Sequence, residues 1–329
     1  MSNLHIIALF GQHQHSRLDN AQTLLVAEKL AQGGVLYKKN IYWNMLINLP
    51  RAVLFFIPVW LLIKHNDGFK DIEQCDAIVT CGRKMVRYAK HLKKHCCPDA
   101  KIIQIGNPTC DLRGVDVLLR PIHSRNIPHK NVINYRGYLS KPLEKEAFEL
   151  AEAKFSKIKE ALFGPYISVF IGGNTTLYKM TPAMAEDFGK TINTISHNMK
   201  MPLLICVDAK VPENVVDVLK EQLNCSYYFY YKKLNPDSPR VAFIGWGSYY
   251  IVIGNSITDQ SELILQGKPT YIYYAGNHGR KYKLFYDDII ADKCAMPLSN
   301  QNELLKVFEP VQLNDIDVLI DNVIKKAGL

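Results

Sequence analysis

Short apolar runs alternate with segments of helical spacing along the whole chain. Strands are predicted at residues 4–10, 76–80, 101–105, 115–119, 166–171, 203–207, 225–231, 249–253 and 269–274. Helices are predicted at residues 20–30, 84–94, 143–162, 182–198, 212–223, 260–265 and 315–327. Because most strands are followed by a loop and a helix, the pattern predicts an α/β fold with doubly wound parallel sheets.

The pair Gly164-Pro165 separates two such series. We therefore predict two facing, doubly wound, Rossmann-like domains, residues 1–163 and 164–312. A ligand cleft is expected between them, because ligands of open α/β sheets bind beyond the carboxyl ends of the strands. The last predicted helix, within residues 313–329, is expected to pack back on the N-terminal domain.

The positive charge is concentrated in the first half of the chain. The formal net charge is +9 over 329 residues; residues 1–140 hold 19 Lys and Arg against 9 Asp and Glu, and residues 141–329 hold 21 against 22. This asymmetry predicts an anionic partner for the first half: a bilayer, a nucleic acid or a phosphorylated substrate. No helix-turn-helix or aromatic-interleaved motif accompanies the basic stripe at 84–94, so we do not expect a nucleic-acid partner.

Residues 52–63, AVLFFIPVWLLI, are all apolar. A bilayer-spanning helix needs ~20 such residues, so this segment is too short to cross. Two interpretations are open: a buried core helix, or a helical hairpin in the membrane interface, which the neighbouring basic and aromatic residues favour. In the second interpretation the membrane-contacting side chains are Phe55, Phe56, Trp60 and Leu61.

The eight cysteines include no C-x-x-C pair and no spacing typical of metal ligands. This pattern indicates reduced thiols in a cytoplasmic protein. The first residues have no basic region or cleavage site of a secretory signal. We expect neither a metal nor a cofactor, and a peripheral location on the inner face of the membrane.

A glycine pair follows the apolar run 166–171, in the segment Gly172-Gly173-Asn174-Thr175. Paired glycines let backbone N–H groups approach a phosphate, and Asn and Thr side chains add hydrogen bonds. The segment matches neither the G-K-[ST] phosphate loop nor the G-x-G-x-x-G dinucleotide motif. The alternative is an ordinary turn between a strand and a helix.

A second loop follows the run 249–253 and contains Ser256, Thr258, Ser261 and Glu262. Small hydroxyl residues at a helix N-terminus can cap the helix and can also bind phosphate, while a carboxylate there can hold ribose hydroxyls. The alternative is a capping box, with Glu262 as an acid in the first helical turn.

The second half of the chain resembles the C-terminal domain of two-domain (GT-B) glycosyltransferases. The resemblance lies in three segments that follow in the same order, IGGNTTLYK, ICVDAKVPENV and GNSITDQSELILQGKPTYIYY. This half resembles more closely the family named for a plant mitochondrial-fission protein, "elongated mitochondria", whose bacterial members are described as glycosyltransferases. That family has D-S-I-S-M-x-S-E-A-x-x-T-G-K-P where this chain has NSITDQSELILQGKP. Asn255 replaces the family's acid and Asp259 stands where Met is common. If that acid helps to bind the donor, the donor preference of this chain is expected to differ from that of the family.

The first half resembles the same family. A strand followed by G-H-x-N-Q in the family corresponds here to Gly11 and, after a longer loop, to Asp19-Asn20-Ala21-Gln22. The family's G-R motif corresponds to Gly82-Arg83. Later motifs follow in the family order within residues 104–108, 115–123 and 131–133. Ser124 stands where the family has Asp, and the resemblance spans about residues 5–290.

The resemblance implies a nucleotide-sugar donor on the C-terminal domain and an acceptor on the N-terminal domain, without an obligatory metal. The donor-binding candidates are then the two loops and Lys281, and the candidates for the diphosphate are Arg83 and Lys210. A base for the acceptor hydroxyl, needed if the reaction inverts the anomeric centre, would be one of three residues: Asp19, His13 or His123.

We therefore expect a peripheral-membrane glycosyltransferase acting on a lipid-linked or cell-envelope acceptor. The alternative is a non-catalytic, membrane-associated adaptor on the same scaffold.

Overall fold

The computed structural model describes residues 3–12, 16–82, 84–107, 112–124, 129–234, 237–254 and 256–329. The chain divides into two compact units, Met1–Ser140 with Asn314–Leu329, and Lys141–Leu313. Residues 141–163 therefore lie in the second unit, whereas the sequence prediction assigned them to the first domain. The physical reason is that Ile158 of the helix in this segment packs in one core cluster with Phe243 and Leu263.

The secondary structure of the described residues follows the chain in alternation. The strands are β1 (His5–Gln12), β2 (Val35–Trp43), β3 (Ile63–Asn66), β4 (Ala77–Cys81), β5 (Lys101–Ile105), β6 (Val117–Pro121), β7 (Val132–Tyr135), β8 (Tyr166–Ile171), β9 (Leu203–Val207), β10 (Tyr227–Tyr231), β11 (Gly247–Ile253), β12 (Thr270–Tyr273) and β13 (Met296–Leu298). The α-helices are α1 (Ser16–Leu30), α2 (Arg51–Phe56), α3 (Met85–His95), α4 (Lys145–Ala161), α5 (Pro182–Met199), α6 (Glu213–Glu221), α7 (Arg240–Trp246), α8 (Ile257–Ile264), α9 (Arg280–Ala291) and α10 (Ile316–Ala327).

The first unit is built on a sheet of order β3-β2-β1-β4-β5-β6-β7. Only the β2–β3 pair is antiparallel among its described strands. One apolar cluster joins α1 and α10 to one face of the sheet, and a second joins α3 to the other. At the end of the chain, Lys29 Nζ lies 2.7 Å from Asp317 Oδ1 and Asn314 Oδ1 accepts a hydrogen bond from Arg136 N at 2.7 Å, so α10 is part of this unit.

The second unit has an entirely parallel sheet of order β10-β9-β8-β11-β12-β13. Every residue of β8 and β9 is buried, as expected for central strands covered on both faces. Apolar clusters on the two faces hold α5 and α6 on one side and α4, α7 and α8 on the other. The two doubly wound sheets confirm the predicted α/β fold class.

The apolar segment 52–63 does not form one continuous helix. It contains α2, which ends at Phe56, and a short 3₁₀ helix, Val59–Leu62, that begins after Pro58. Proline cannot donate a backbone hydrogen bond, which explains the break at this position. No helix in the described part of the chain is both long enough and apolar enough to span a bilayer.

Candidate functional site

The centre of the second sheet brings two glycine-containing loops together. β8 and β11 are neighbours, with Ile171 paired to Ile253, and Gly172 N donates to the Ile253 carbonyl at 2.8 Å. Gly254 has φ +118°, and a Cβ atom at this position would lie 3.1 Å from the Gly172 Cα. Only glycine combines this backbone conformation with so close an approach. The order of the strands reverses between β8 and β11, which is where open α/β sheets bind ligands.

The side chains of the first loop hold the loop itself. Asn174 Oδ1 accepts a hydrogen bond from Met180 N at 2.9 Å, and Thr175 Oγ1 accepts one from Tyr178 N at 3.0 Å. A Cβ atom on Gly173 would collide with the Asp208 carboxylate and lie 2.9 Å from Lys210 Cβ. Gly173, Asp208 and Lys210 therefore meet at this edge of the sheet, and contacts within the protein determine the shape of the loop.

The second loop leads into α8, which begins three residues earlier than predicted. Ser256 is its N-cap and accepts a hydrogen bond from Asp259 N at 3.2 Å. Glu262 consequently lies in the second turn, and the acid of the first turn is Asp259. Thr258 is half-buried, whereas Ser261 is fully buried and donates to the Ile257 carbonyl at 2.7 Å. A nucleotide-sugar donor cannot contact the Ser261 side chain in this arrangement, because the helix and its neighbours cover it.

A pocket of about 320 Å³ opens beside these loops at the carboxyl ends of β8, β9 and β11. Its walls combine aliphatic, aromatic, acidic and basic groups. They are formed by Phe170, Ile171, Gly172, Cys206, Val207, Asp208, Lys232, Ser238, Arg240, Val241, Val252, Ile253, Ser256 and Asp259. The pocket therefore offers an apolar floor with charged groups at its margin.

Arg240, the first residue of α7, is the main residue of this site that the sequence analysis missed. Its guanidinium lies 2.7 Å from Glu262 Oε2 and 3.2 Å from Asp259 Oδ1, and it stacks 4.8 Å from the centre of the Phe170 ring. Burial opposes its charge, but the two carboxylates outweigh this effect and raise the pKa of Arg240. Asp208, which also lines the pocket, could have been predicted, because it is an acid directly after the buried strand β9.

Lys268 fixes the other end of α7. Its Nζ donates to the carbonyl oxygens of Ile244, Gly245 and Gly247 at 3.1, 2.8 and 2.7 Å. These carbonyls belong to the last turn of the helix and to the residue after it, where a cation satisfies acceptors that lack a helical partner. Burial lowers the pKa of Lys268. Glu262 and Lys268 thus contact the start and the end of the same helix.

In the first unit, Asp19 lies beside the end of β4. Cys81 Sγ is 3.5 Å from Asp19 Oδ1, and a Cβ atom on Gly82 would collide with Asp19 Oδ2. Asn20 holds the end of β1, since its amide donates to the Gly11 carbonyl at 3.0 Å and accepts from Gly11 N at 3.1 Å. Asp19 therefore sits at the carboxyl edge of the first sheet.

The remaining predicted residues do not all join these groups. His123 follows β6 and is only 6% exposed. Lys281 lies on α9 with an exposed side chain. His13 and Arg83 lie outside the described residues, as does the side chain of Phe55. No group of three His, Cys, Asp or Glu side chains close enough to hold a metal ion occurs in the described part of the chain.

The segment around α2 exposes large apolar side chains. The exposed fractions are 82% for Phe56, 62% for Trp60 and 41% for Leu61, and Met45, in the 3₁₀ helix Met45–Asn48 that precedes α2, is 88% exposed. Leu62, in contrast, is 1% exposed. The described side chains of this segment therefore divide between the two interpretations: Phe56, Trp60 and Leu61 are exposed, whereas Leu62 is buried and Val59 and Ile63 pack against a core cluster.

The sequence profile described as "Mitochondrial fission ELM1" matches residues 19–326. The chain belongs to the mitochondrial fission ELM1 family. Among individual proteins, it is 26% identical over 305 residues to the uncharacterized protein RP120 of Rickettsia prowazekii, covering 83% of this chain and 86% of that protein. It is 19% identical over 217 residues to the mitochondrial fission protein ELM1 of Arabidopsis thaliana, covering 59% of this chain and 50% of the plant protein.

Solved structures give the fold of this ELM1-family chain. The UDP-GlcNAc 2-epimerase from Neisseria meningitidis, bound to UDP-GlcNAc, is similar with a TM-score of 0.53 and 12% identity, over 98% of this chain and 100% of that chain. At this identity the similarity concerns the fold alone. The family match and the GT-B type of fold confirm the resemblance found in the sequence.

Proposed function

We propose that the protein is a glycosyltransferase that binds a nucleotide sugar in the pocket of the second unit and transfers the sugar to a lipid-linked or cell-envelope acceptor without a metal. The observation that carries the proposal is the position of this pocket, at the reversal of the strand order between the Gly172 turn and the start of α8. Membership of the ELM1 family and the GT-B fold are in agreement with it.

In this proposal the donor diphosphate binds the backbone N–H groups near Gly173 and the N-terminus of α8, where the helix dipole favours an anion. Lys210, next to Gly173, and Lys281 on α9 add positive charge. Glu262 holds the ribose: Oε2 is engaged by Arg240, and no hydrogen bond from the described residues reaches Oε1. The apolar floor with Phe170 accommodates the base.

The proposed transfer is a substitution at the anomeric carbon of the donor. The acceptor oxygen forms a bond to the anomeric carbon, the bond from that carbon to the diphosphate oxygen breaks, and its electron pair leaves with the diphosphate. We assign removal of the acceptor proton to Asp19, which is half-buried at the edge of the first sheet. His123 is a weaker choice because it is almost fully buried.

The exposed side chains of Phe56, Trp60 and Leu61 are proposed to enter the membrane interface. Lys38 and Lys64 flank this segment in the sequence and are exposed, and the first half of the chain is strongly basic. Amphipathic aromatic side chains beside cationic ones suit an anionic bilayer surface. A lipid-linked acceptor would then reach the unit that carries Asp19.

A thermal-shift screen with UDP-, GDP-, CMP- and dTDP-linked sugars tests the proposal. A ligand that binds only the folded state, at 100 times its dissociation constant, adds about 2.7 kcal/mol to the free energy of unfolding. We expect stabilisation by the sugars of one nucleotide. If no nucleotide sugar of the panel stabilises the protein, the glycosyltransferase proposal fails.

The second candidate function is a non-catalytic, membrane-associated adaptor. It is favoured by the loop around Asn174 and Thr175, whose side chains are engaged within the loop, and by the exposed apolar segment. An adaptor would bind anionic vesicles but would remain silent across the nucleotide-sugar panel, which separates the two functions.

A further inference from the structure

A continuous chain of hydrogen bonds leads to the Asp19 carboxylate from the interior of the first unit. Tyr135 Oη donates to Gln22 Oε1 at 3.3 Å, Gln22 Nε2 donates to Cys81 Sγ at 3.5 Å, and Cys81 Sγ lies 3.5 Å from Asp19 Oδ1. Gln22, Cys81 and Tyr135 are 3–4% exposed. The first two bonds are therefore buried, where they are shielded from water, and the bond to Asp19 is partly buried.

The direction of the last bond follows from the first two. Gln22 Oε1 also accepts from Leu139 N at 3.2 Å, so two donors fix the orientation of this amide and direct its N–H group to the sulfur. Burial raises the pKa of the Cys81 thiol well above its ordinary value. The sulfur of the neutral thiol accepts a hydrogen bond from Gln22, and its one proton is donated to Asp19.

We propose that Cys81 and Gln22 are positioning residues that orient the Asp19 carboxylate and favour its ionised form through this chain. The inference rests on the proposed role of Asp19 as the base. A carboxylate that accepts a hydrogen bond is favoured in its charged form. Gly82, with φ +86°, leaves the space that Asp19 Oδ2 occupies.

The titratable groups that interact with Asp19 include Cys81, Tyr135 and Tyr138. Burial raises the pKa values of both tyrosines well above the ordinary range, so both are neutral at physiological pH. Arg17 follows the start of α1 and is exposed, and Arg83 lies outside the described residues. A change at Cys81 therefore acts on Asp19 without altering the charge of these tyrosines.

The test measures the titration of Asp19 in the full chain by NMR of carboxyl-labelled aspartate, with its signal identified by its loss in Asp19→Asn. In Cys81→Ala the midpoint is expected to move to higher pH, and Cys81→Ser is expected to restore it, because a hydroxyl also donates. Tyr135→Phe removes the first donor and should give a smaller shift in the same direction. Cys97→Ala, a buried thiol in the core on the other face of the sheet, should leave the midpoint unchanged.

A second readout uses activity. Below the midpoint, kcat/KM of Cys81→Ala is expected to fall roughly threefold to tenfold, with recovery in Cys81→Ser. An Asp19 midpoint that is the same in Cys81→Ala and the natural protein overturns the inference; if Cys81→Ala does not fold, an unchanged midpoint in Tyr135→Phe does so. The titration does not require turnover. If the protein transfers no sugar, the proposed function is refuted, and the titration still tests the effect of the hydrogen-bond chain on Asp19.

Discussion

Glu262 Oε2 accepts two hydrogen bonds from Arg240, one from Nε at 3.2 Å and one from Nη2 at 2.7 Å. The two residues are 22 positions apart, at the start of α7 and in the second turn of α8. Their contact joins α7 and α8 beside the pocket, which both helices help to line. Together with Lys268 at the other end of α7, it gives a structural reason for the S-E and G-K-P parts of the family-like segment.

We expect Glu262→Gln to weaken binding of the ribonucleotide donor roughly ten- to hundredfold, and binding of the 2′-deoxy or 3′-deoxy analogue much less. The reason is that a charged hydrogen bond to a ribose hydroxyl contributes about 1.5–3 kcal/mol. Calorimetric titration of both donor forms, with the nucleotide identified by thermal shift, measures the difference.

Asp259→Asn is the matched control for this experiment. It also removes a carboxylate from Arg240, at 3.2 Å, but it has no proposed contact with ribose. Both variants should lower the free energy of unfolding by about 1–2 kcal/mol, because the Arg240 guanidinium loses one of its two carboxylate partners. The effect is not larger because both acids are about one third exposed to solvent. Equal losses for the ribose and deoxyribose donors in Glu262→Gln would refute the ribose assignment.

Gly173→Ala is expected to reduce donor affinity at least about tenfold, or 1.4 kcal/mol. The added Cβ collides with the Asp208 carboxylate, which accepts a hydrogen bond from Lys210 N at 2.9 Å, so the loop must move. Thr176→Ala, an exposed change in the same loop, serves as the control and should bind normally. Normal affinity in Gly173→Ala, measured by calorimetry, would remove this loop from the diphosphate site.

The local pattern predicted the elements that are continuously apolar and bounded by glycine or proline. β8 and β9 were predicted at their observed ends, because a buried parallel strand has apolar side chains on both faces. β2 was missed because Lys38 and Lys39 interrupt its apolar residues. Lys39 is nevertheless buried, since its amino group pairs with Asp71 at 2.5 Å, and that partner is 32 residues away.

The candidate site could be predicted only where its residues share one loop. The glycine turn at 172–173 and the cap Ser256 follow strands and carry local signals. Arg240 does not, because α7 is only seven residues long and the partners of its guanidinium lie on other elements, namely the acids of α8 and the Phe170 ring of β8. A single sequence contains no signal for such a contact between distant residues.

Replacing Phe56 and Trp60 together by serine should release the protein from anionic vesicles while leaving its melting temperature nearly unchanged. Both side chains are more than 60% exposed, so little packing is lost, whereas their transfer into the interface is abolished. Co-sedimentation with vesicles of anionic and of neutral lipids measures the change.

Leu150 and Phe163 provide the control for the vesicle experiment. They are 74% and 86% exposed but lie in the second unit. Their double replacement by serine should leave vesicle binding intact. If both double variants lose binding alike, or if Phe56→Ser with Trp60→Ser unfolds the protein, the segment is not a specific membrane contact.

Two buried tyrosines of the second unit should respond oppositely to removal of the hydroxyl group. Tyr250 Oη donates to the Ile244 carbonyl at 2.6 Å, whereas the buried Tyr178 hydroxyl has no hydrogen-bond partner among the described residues. Tyr250→Phe should therefore lower the free energy of unfolding by about 1 kcal/mol, and Tyr178→Phe should leave it unchanged or raise it. Urea denaturation at pH 8 measures both values.

The same variants give a pH dependence with a defined sign. Burial raises the pKa of both tyrosines, so above pH ~10 the unfolded chain releases protons that the folded chain retains. The unfolded state then binds fewer protons, and the free energy of unfolding falls as the pH rises. Below pH ~10 both states keep these protons, so the contribution is constant there. Each Tyr→Phe variant should lose less stability between pH 9.5 and 11 than the natural protein, by up to about 1.4 kcal/mol per pH unit. An alkaline loss as steep in Tyr178→Phe as in the natural protein would mean that the Tyr178 hydroxyl ionises in the folded state and is not held in the protein interior.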